Sequence, residues 1–125
     1  REAVRFKAEE CYAVDTELEL AEGIVSGFIA VVAVHATNSY MRMDSKEVIA
    51  RSLGRGNHAE GCHDVDIIDG ELKFRKFGSW GLNVWNGGCG FITWKNHLIE
   101  PNKYHQFYLI RGASDDTQDN VPELN

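Results

Sequence analysis

The pattern of apolar and polar positions predicts one helix near the start of the chain. Apolar residues recur at helical spacing over residues 17–26, and they follow Asp15-Thr16, two residue types that cap helix starts. Gly27 comes next, and glycine is typical of the position just past a helix end. We therefore predict an amphipathic helix over residues 17–26.

The pattern then changes to one that favours β-structure. Residues 28–36, FIAVVAVHA, are rich in β-branched side chains and predict a buried strand. Residues 37–61 are mostly polar and are interrupted by glycines, so we expect a loop there, with one helical turn over residues 46–53.

A hairpin gives the clearest local signal in the second half of the chain. Residues 65–68 and 72–77 are both strand-like, and the Asp69-Gly70 pair between them is typical of a two-residue hairpin turn. We predict two antiparallel strands joined at this turn.

Two further strands, at residues 90–94 and 106–110, complete the predicted sheet. Residues 114–125 are acidic and poor in large apolar side chains, so we expect a flexible tail. The predicted fold class is α+β, with one amphipathic helix and a mostly antiparallel sheet or half-barrel. It occupies a single domain of residues 1–113.

Composition and charge narrow the classes of function. The chain has 125 residues, of which 43% are hydrophobic, as expected for one small domain. Its net charge of -6 comes without a cluster of Lys and Arg, so we expect no nucleic-acid partner. The longest apolar run, residues 23–36, is too short to cross a bilayer, so we expect a soluble protein with no membrane partner.

The three cysteines are Cys11, Cys62 and Cys89, and an odd number cannot be fully paired within the chain. One interpretation is a zinc site made of His58, Cys62, His63 and Cys89, because imidazole and thiolate are preferred zinc ligands. The spacing lacks the familiar paired-cysteine pattern. The competing interpretation is that His58 lies in a solvated loop and that the cysteines are buried without chemistry.

Several short motifs follow one another in an order that is typical of a known family. After the helix and the first strand come a histidine that opens a strand, a Ser-Trp-Gly motif, a second tryptophan and a Gly-Phe strand. In this sequence they are His63-x-Val65, Gly78-Ser79-Trp80-Gly81, Trp85 and Gly90-Phe91-Ile92. Their order and spacing, over residues 12–110, resemble the carboxy-terminal half of the papain-like cysteine peptidases.

The resemblance implies a catalytic role for His63 and a site around Trp80. In such peptidases a histidine acts as general base and stabilises a cysteine thiolate, and the tryptophan of the Ser-Trp-Gly motif shields it. The family places the asparagine that orients this histidine just before the serine, where this sequence has Gly78. The implied site is therefore His63, Ser79 and Trp80, with Trp80 and Trp85 on the binding side and with impaired catalysis.

The cysteine nucleophile of the family has no counterpart in this sequence, and neither does its oxyanion-hole glutamine. Cys11 is much closer to His63 along the chain than the family requires, and it lacks the Gly-x-Cys-Trp setting. Cys62 is the immediate neighbour of His63, and neighbouring side chains on a strand point to opposite faces. We therefore do not expect the chain to be active alone.

The resemblance implies two classes of function, neither of which needs a cofactor. In the first, the chain is the carboxy-terminal part of a cleaved peptidase that acts on peptides, and a companion chain supplies the cysteine. The start at Arg1 rather than at a methionine favours this function. In the second, the half-domain is a non-catalytic structural component of an assembly such as a virus or phage particle, which Gly78 favours.

Both functions imply a protein partner. Half of a papain-type core exposes the apolar face that bears the cleft, and exposed patches of that size usually bind something. The first function implies a secreted or lysosomal location, as for a typical family member, and the second implies a location in the virion.

Overall fold

A computed structural model of the protein describes residues 10–45, 48–78, 80–98 and 107–112. In chain order the strands are β1 (Glu10–Ala13), β2 (Ile29–Val34), β3 (Met43–Ser45), β4 (Val48–Ile49), β5 (His58–Ile68), β6 (Glu71–Phe77), β7 (Cys89–Ile92) and β8 (Phe107–Arg111). The helical elements are α1 (Glu17–Val25), a 3₁₀ turn (Ser39–Met41) and a π-helical turn (Trp94–Leu98).

The strands of the described part of the chain form one sheet in the order β1-β8-β2-β5-β6-β7-β4-β3. All neighbouring pairs are antiparallel except β4 and β7, which meet in parallel at Val48 and Phe91. The helix α1 packs against β5, β2 and β8. The predicted α+β class, with one main helix and a mostly antiparallel sheet, is confirmed.

The helix begins at the predicted residue, Glu17, and ends one residue earlier than predicted, at Val25. The Thr16 side chain accepts a hydrogen bond from the backbone N–H of Glu19, and the Glu19 carboxylate accepts one from the backbone N–H of Thr16. These two reciprocal hydrogen bonds make a capping box. The chain then turns at Gly27, where φ is 100°. A glycine inside the helix, Gly23, lets α1 approach β8 closely, because a Cβ at this position would collide with the Leu109 side chain.

The β5–β6 hairpin forms at the predicted turn. Asp69 and Gly70 have φ values of 55° and 78°, the left-handed conformation that tight hairpin turns require. The first strand is longer than predicted, since β5 begins at His58 rather than at Val65. The pairing with β6 shifts register between Cys62 and Asp64, which makes the intervening residue the extra one of a β-bulge.

The region predicted to be a loop contains more β-structure than expected. The helical turn predicted over residues 46–53 is wrong, because Val48–Ile49 form β4, as suits two β-branched side chains. Strands β1 and β3 were not predicted either. The strands predicted at 28–36 and 90–94 are confirmed as the shorter β2 and β7, and β8 confirms the strand predicted at 106–110 except for residue 106, which lies outside the described residues.

The core lies between α1 and the sheet and extends along the sheet under the 3₁₀ and π-helical turns. Its fully buried large side chains include Leu20, Val32, Tyr40, Phe74, Ile92 and Phe107. In the described residues, no helix is long and apolar enough to cross a membrane. The predicted tail at 114–125 falls outside the described part of the chain.

Candidate functional site

The site is centred on alternate residues of β5. Side chains two positions apart on a strand share a face, so His58, Glu60 and Cys62 point the same way. That face is the buried one at Glu60 and Cys62, which are 5% and 0% exposed. The antiparallel register sets Lys76 of β6 opposite Cys62, and Lys76 is fully buried as well.

A cluster of buried ionic and polar side chains surrounds Glu60 on the buried face of the sheet. The Glu60 carboxylate accepts a hydrogen bond from Tyr40 Oη at 2.6 Å through Oε1 and one from Lys76 Nζ at 3.0 Å through Oε2. The two charged side chains are 1% and 0% exposed. A buried carboxylate needs such donors, because leaving its oxygens unpaired would cost several kcal/mol. We call Tyr40, His58, Glu60 and Lys76 the Glu60 cluster.

Burial changes the protonation behaviour of the cluster. Loss of solvent lowers the pKa of Lys76 to about 8, although the neighbouring Glu60 carboxylate opposes the shift. Burial also raises the pKa of Tyr40, and the Glu60 charge raises it further, so this phenol stays a neutral donor. The cluster therefore combines the imidazole of His58 with one carboxylate, one ammonium group that loses its proton more easily than usual, and one fixed hydroxyl group.

The imidazole of His58 and the indoles of Trp80 and Trp85 form a stack of three rings beside the other members of the cluster. The His58 ring lies on the indole of Trp80 with centroids 4.8 Å apart, and Trp80 lies on Trp85 at 5.3 Å. Trp85 Nε1 donates a hydrogen bond of 2.7 Å to the carbonyl oxygen of Tyr40, and Lys76 Nζ lies 2.8 Å from the Trp85 ring centroid. The two indoles therefore cover the buried charges and hold the imidazole from one side.

Gly78 borders the cluster and leaves no space for a side chain. A Cβ at this position would lie 2.8 Å from Trp85 Cζ3 and 3.0 Å from Glu60 Oε2. Its backbone N–H donates to Gly88 O at 3.1 Å, which fixes the end of β6 against the following loop. The space that a residue 78 side chain would occupy is filled by the indole and by the Glu60 carboxylate.

His58 is the group of the cluster that solvent can reach. Its Nε2 lies 3.3 Å from Glu60 Oε2, and its side chain is 26% exposed. It lines an opening of about 230 Å³ together with Ala59, Glu60, Gly61, Phe77 and Gly78. A partly exposed imidazole that has one ring nitrogen against a carboxylate and lines an opening can act as a general acid or base.

The ring contacts of His63 are with Phe77 rather than with Trp80. His63 lies at the bulge of β5, exposed, with its ring centroid 5.1 Å from that of Phe77. The histidine on the Trp80 indole is His58, which the sequence analysis placed in a solvated loop. Of the remaining predicted site residues, Trp80 and Trp85 come together as described, and Ser79 lies outside the described residues.

One sequence signal could have identified His58. In the HAEGC segment, histidine, glutamate and cysteine alternate with small residues, which is the period of a strand with one functional face. Because the segment precedes the predicted strand at 65–68 without a turn residue pair, β5 could have been extended back to it.

The three cysteines differ in burial, and they are not grouped with other ligands in the described part of the chain. Cys62 is fully buried, and this burial, followed by the charge of Glu60, raises the pKa of its thiol. Cys11 is exposed on β1, and Cys89 is partly exposed on β7. No three His, Cys, Asp or Glu residues of the described part of the chain are grouped so as to hold a metal ion, so the zinc set does not assemble there.

Comparisons with known proteins add no family to this picture. No protein-family model matches the chain, and no curated protein matches it either. The resemblance to papain-like peptidases therefore stays a prediction from the order of the motifs.

Proposed function

We propose that this chain is the histidine-bearing half of a papain-type cysteine peptidase. The observation that supports the proposal is the contact set of His58, which has a carboxylate on Nε2 and the Trp80 indole on its face. The order of the motifs alone pointed to His63, but the geometry favours His58 as the general base. The Ser-Trp-Gly indole then has the shielding role that the resemblance implies.

In the proposed reaction His58 works as an acid–base group for a cysteine thiol. The ring takes the thiol proton on Nδ1, and the resulting imidazolium stabilises the thiolate that attacks a peptide carbonyl. The same ring then gives the proton to the departing amine, and water later cleaves the acyl-enzyme. Trp80 covers one face of the ring and limits the access of water to it.

Neither Cys62 nor Cys11 suits the role of the nucleophile, and the family resemblance assigns no such role to Cys89. Cys62 is buried, with a pKa raised by that burial, and is therefore held as a thiol in the core. Cys11 lies on β1, and β8 and β2 separate β1 from β5 in the sheet. A companion chain, or another segment of a longer chain, would supply the nucleophile, and the described part alone would have no peptidase activity.

The proposal is tested on native material with its companion proteins. An epoxysuccinyl inhibitor of cysteine peptidases should label a cysteine in a companion chain or segment, as identified by mass spectrometry. We expect His58→Ala to slow labelling at least about tenfold, because the thiolate loses its imidazolium partner. The matched variant His63→Ala, on the same strand, should leave the rate unchanged. The opposite result for the two histidines would refute the assignment of His58.

A second function, a non-catalytic scaffold, is favoured by the packing at Gly78. The orienting asparagine of the family could not be accommodated there without moving Trp85 or Glu60. In this alternative the half-domain is a structural component of an assembly such as a virus particle. Co-purification with structural proteins only, and no labelled thiol in any chain, would favour the scaffold over the peptidase.

A further inference from the structure

We infer that Glu60 is the positioning residue of His58, in the place of the side chain that position 78 lacks. This inference deepens the proposed function and depends on it. Glu60 would orient the imidazole through Nε2 and leave Nδ1 as the nitrogen that exchanges a proton with the thiol.

The first argument is the space around Gly78. Glu60 Oε2 lies 3.0 Å from the point where a Cβ of residue 78 would be, and 3.3 Å from His58 Nε2. An acceptor on a residue 78 side chain would have to reach the same ring nitrogen from the end of β6. The carboxylate reaches it from β5 instead, and the glycine at 78 gives it the room to do so.

The second argument is that the carboxylate is itself held in place. Oε1 accepts from Tyr40 Oη at 2.6 Å, and Oε2 accepts from Lys76 Nζ at 3.0 Å. The Glu60 and Lys76 side chains are 1% and 0% exposed, so water does not compete for these hydrogen bonds. A group that orients a catalytic ring needs this kind of support from surrounding residues.

The third argument concerns charge. An amide orients an imidazole without adding a net charge beside it. The Glu60 carboxylate would add a negative charge, but the Lys76 ammonium on the same oxygen compensates it. The ion pair can therefore replace a neutral amide, because it offers a hydrogen-bond acceptor and has no net charge.

The test follows the ring of His58 by nitrogen-15 NMR, so it needs neither a companion chain nor a substrate. If Glu60 orients the ring, the wild type should show a downfield, slowly exchanging Nε2–H proton, because this nitrogen lies 3.3 Å from the Glu60 carboxylate. Replacing Glu60 alone would leave Lys76 buried without its partner, so both variants below also remove the lysine.

The two double variants differ only in the acceptor at position 60. Glu60→Gln/Lys76→Met keeps an amide oxygen, and we expect it to keep the Nε2–H signal. Glu60→Met/Lys76→Met has no acceptor, and we expect the exchange of this proton with water to become at least about tenfold faster. The ring signals of His63 serve as an internal control, and thermal unfolding confirms that both variants fold.

Two outcomes would overturn the inference. One is an unchanged Nε2–H signal and exchange rate in Glu60→Met/Lys76→Met, since the ring would then be oriented without Glu60. The other is loss of the signal in both variants, since the retained amide would then not replace the carboxylate. Failure of the proposed function is separate, because it appears as absent thiol labelling while the NMR result stands.

Discussion

Lys76 lies in β6 with its side chain fully buried, which no local pattern of the sequence predicts. It lies on the same face of the strand as Phe74. A charged side chain therefore follows a buried apolar one on this face. Its partner, Glu60, is 16 positions away in the sequence and is brought to it only by the β5–β6 pairing. The stability of this region should therefore respond to the protonation of Lys76.

The pH dependence of stability should reveal this amine. The pKa of Lys76 falls from an ordinary value of 10.5 to about 8 in the folded protein, so the unfolded chain holds the proton more tightly. Unfolding free energy therefore rises with pH between these two values, by up to about 3 kcal/mol. Urea denaturation from about pH 7 to about pH 10 measures this rise.

The control for this prediction removes the buried pair without changing its size much. In Glu60→Gln/Lys76→Met the rise attributed to the amine should be absent. If the wild type and the double variant showed parallel stability curves, Lys76 would not be the group responsible.

At the scale of the elements, local signals explain why the helix and the hairpin are predictable. The capping box at Thr16 and Glu19 and the Asp69-Gly70 turn are each set by residues close together in the sequence. Strands β1, β3 and β4 are only four, three and two residues long. Their pairing depends on the arrangement of the whole sheet, so their own short sequences give little indication of a strand.

The hairpin turn gives a prediction for glycine substitutions. Gly70 has φ of 78° and no neighbouring atom within 4 Å of an added Cβ, so Gly70→Ala suffers from backbone strain alone. We expect a loss of about 1 kcal/mol in unfolding free energy, measured by chemical denaturation. Gly112 has the same open space but no positive φ, so Gly112→Ala should be neutral. Equal losses in both variants would mean that the turn is not the cause.

At the scale of the whole molecule, the sheet decides which side chains meet at the site. Trp80 and Trp85, which the motif order places in the site, stack on each other in the structure. Counting along the chain could not choose between His58 and His63, which lie on the same strand. The bulge of β5 at His63 breaks the alternation of side chains between the two faces of the sheet at this point of the strand. A bulge follows from pairing with β6 and has no signature in one strand alone.

Cys62 reports on the stability of the whole sheet. It lies in β5, with β2 on one side and β6 on the other, and has no exposed surface, whereas Cys11 is exposed on β1. Because β1 pairs with β8 and β8 with β2, the first and last strands of the described chain belong to the same sheet as β5. Access to Cys62 then requires the sheet to open as a unit.

We therefore expect an alkylating reagent to modify Cys11 rapidly in the native protein and Cys62 at least about a thousandfold more slowly, at a rate set by unfolding. In concentrated guanidinium chloride the thiols should react alike, which controls for differences in intrinsic reactivity. Peptide mapping by mass spectrometry separates the two sites. Rapid native modification of Cys62 would mean either local opening of β5 or activation by His58. In the second case the chain would carry its own nucleophile, and the proposed companion would be unnecessary.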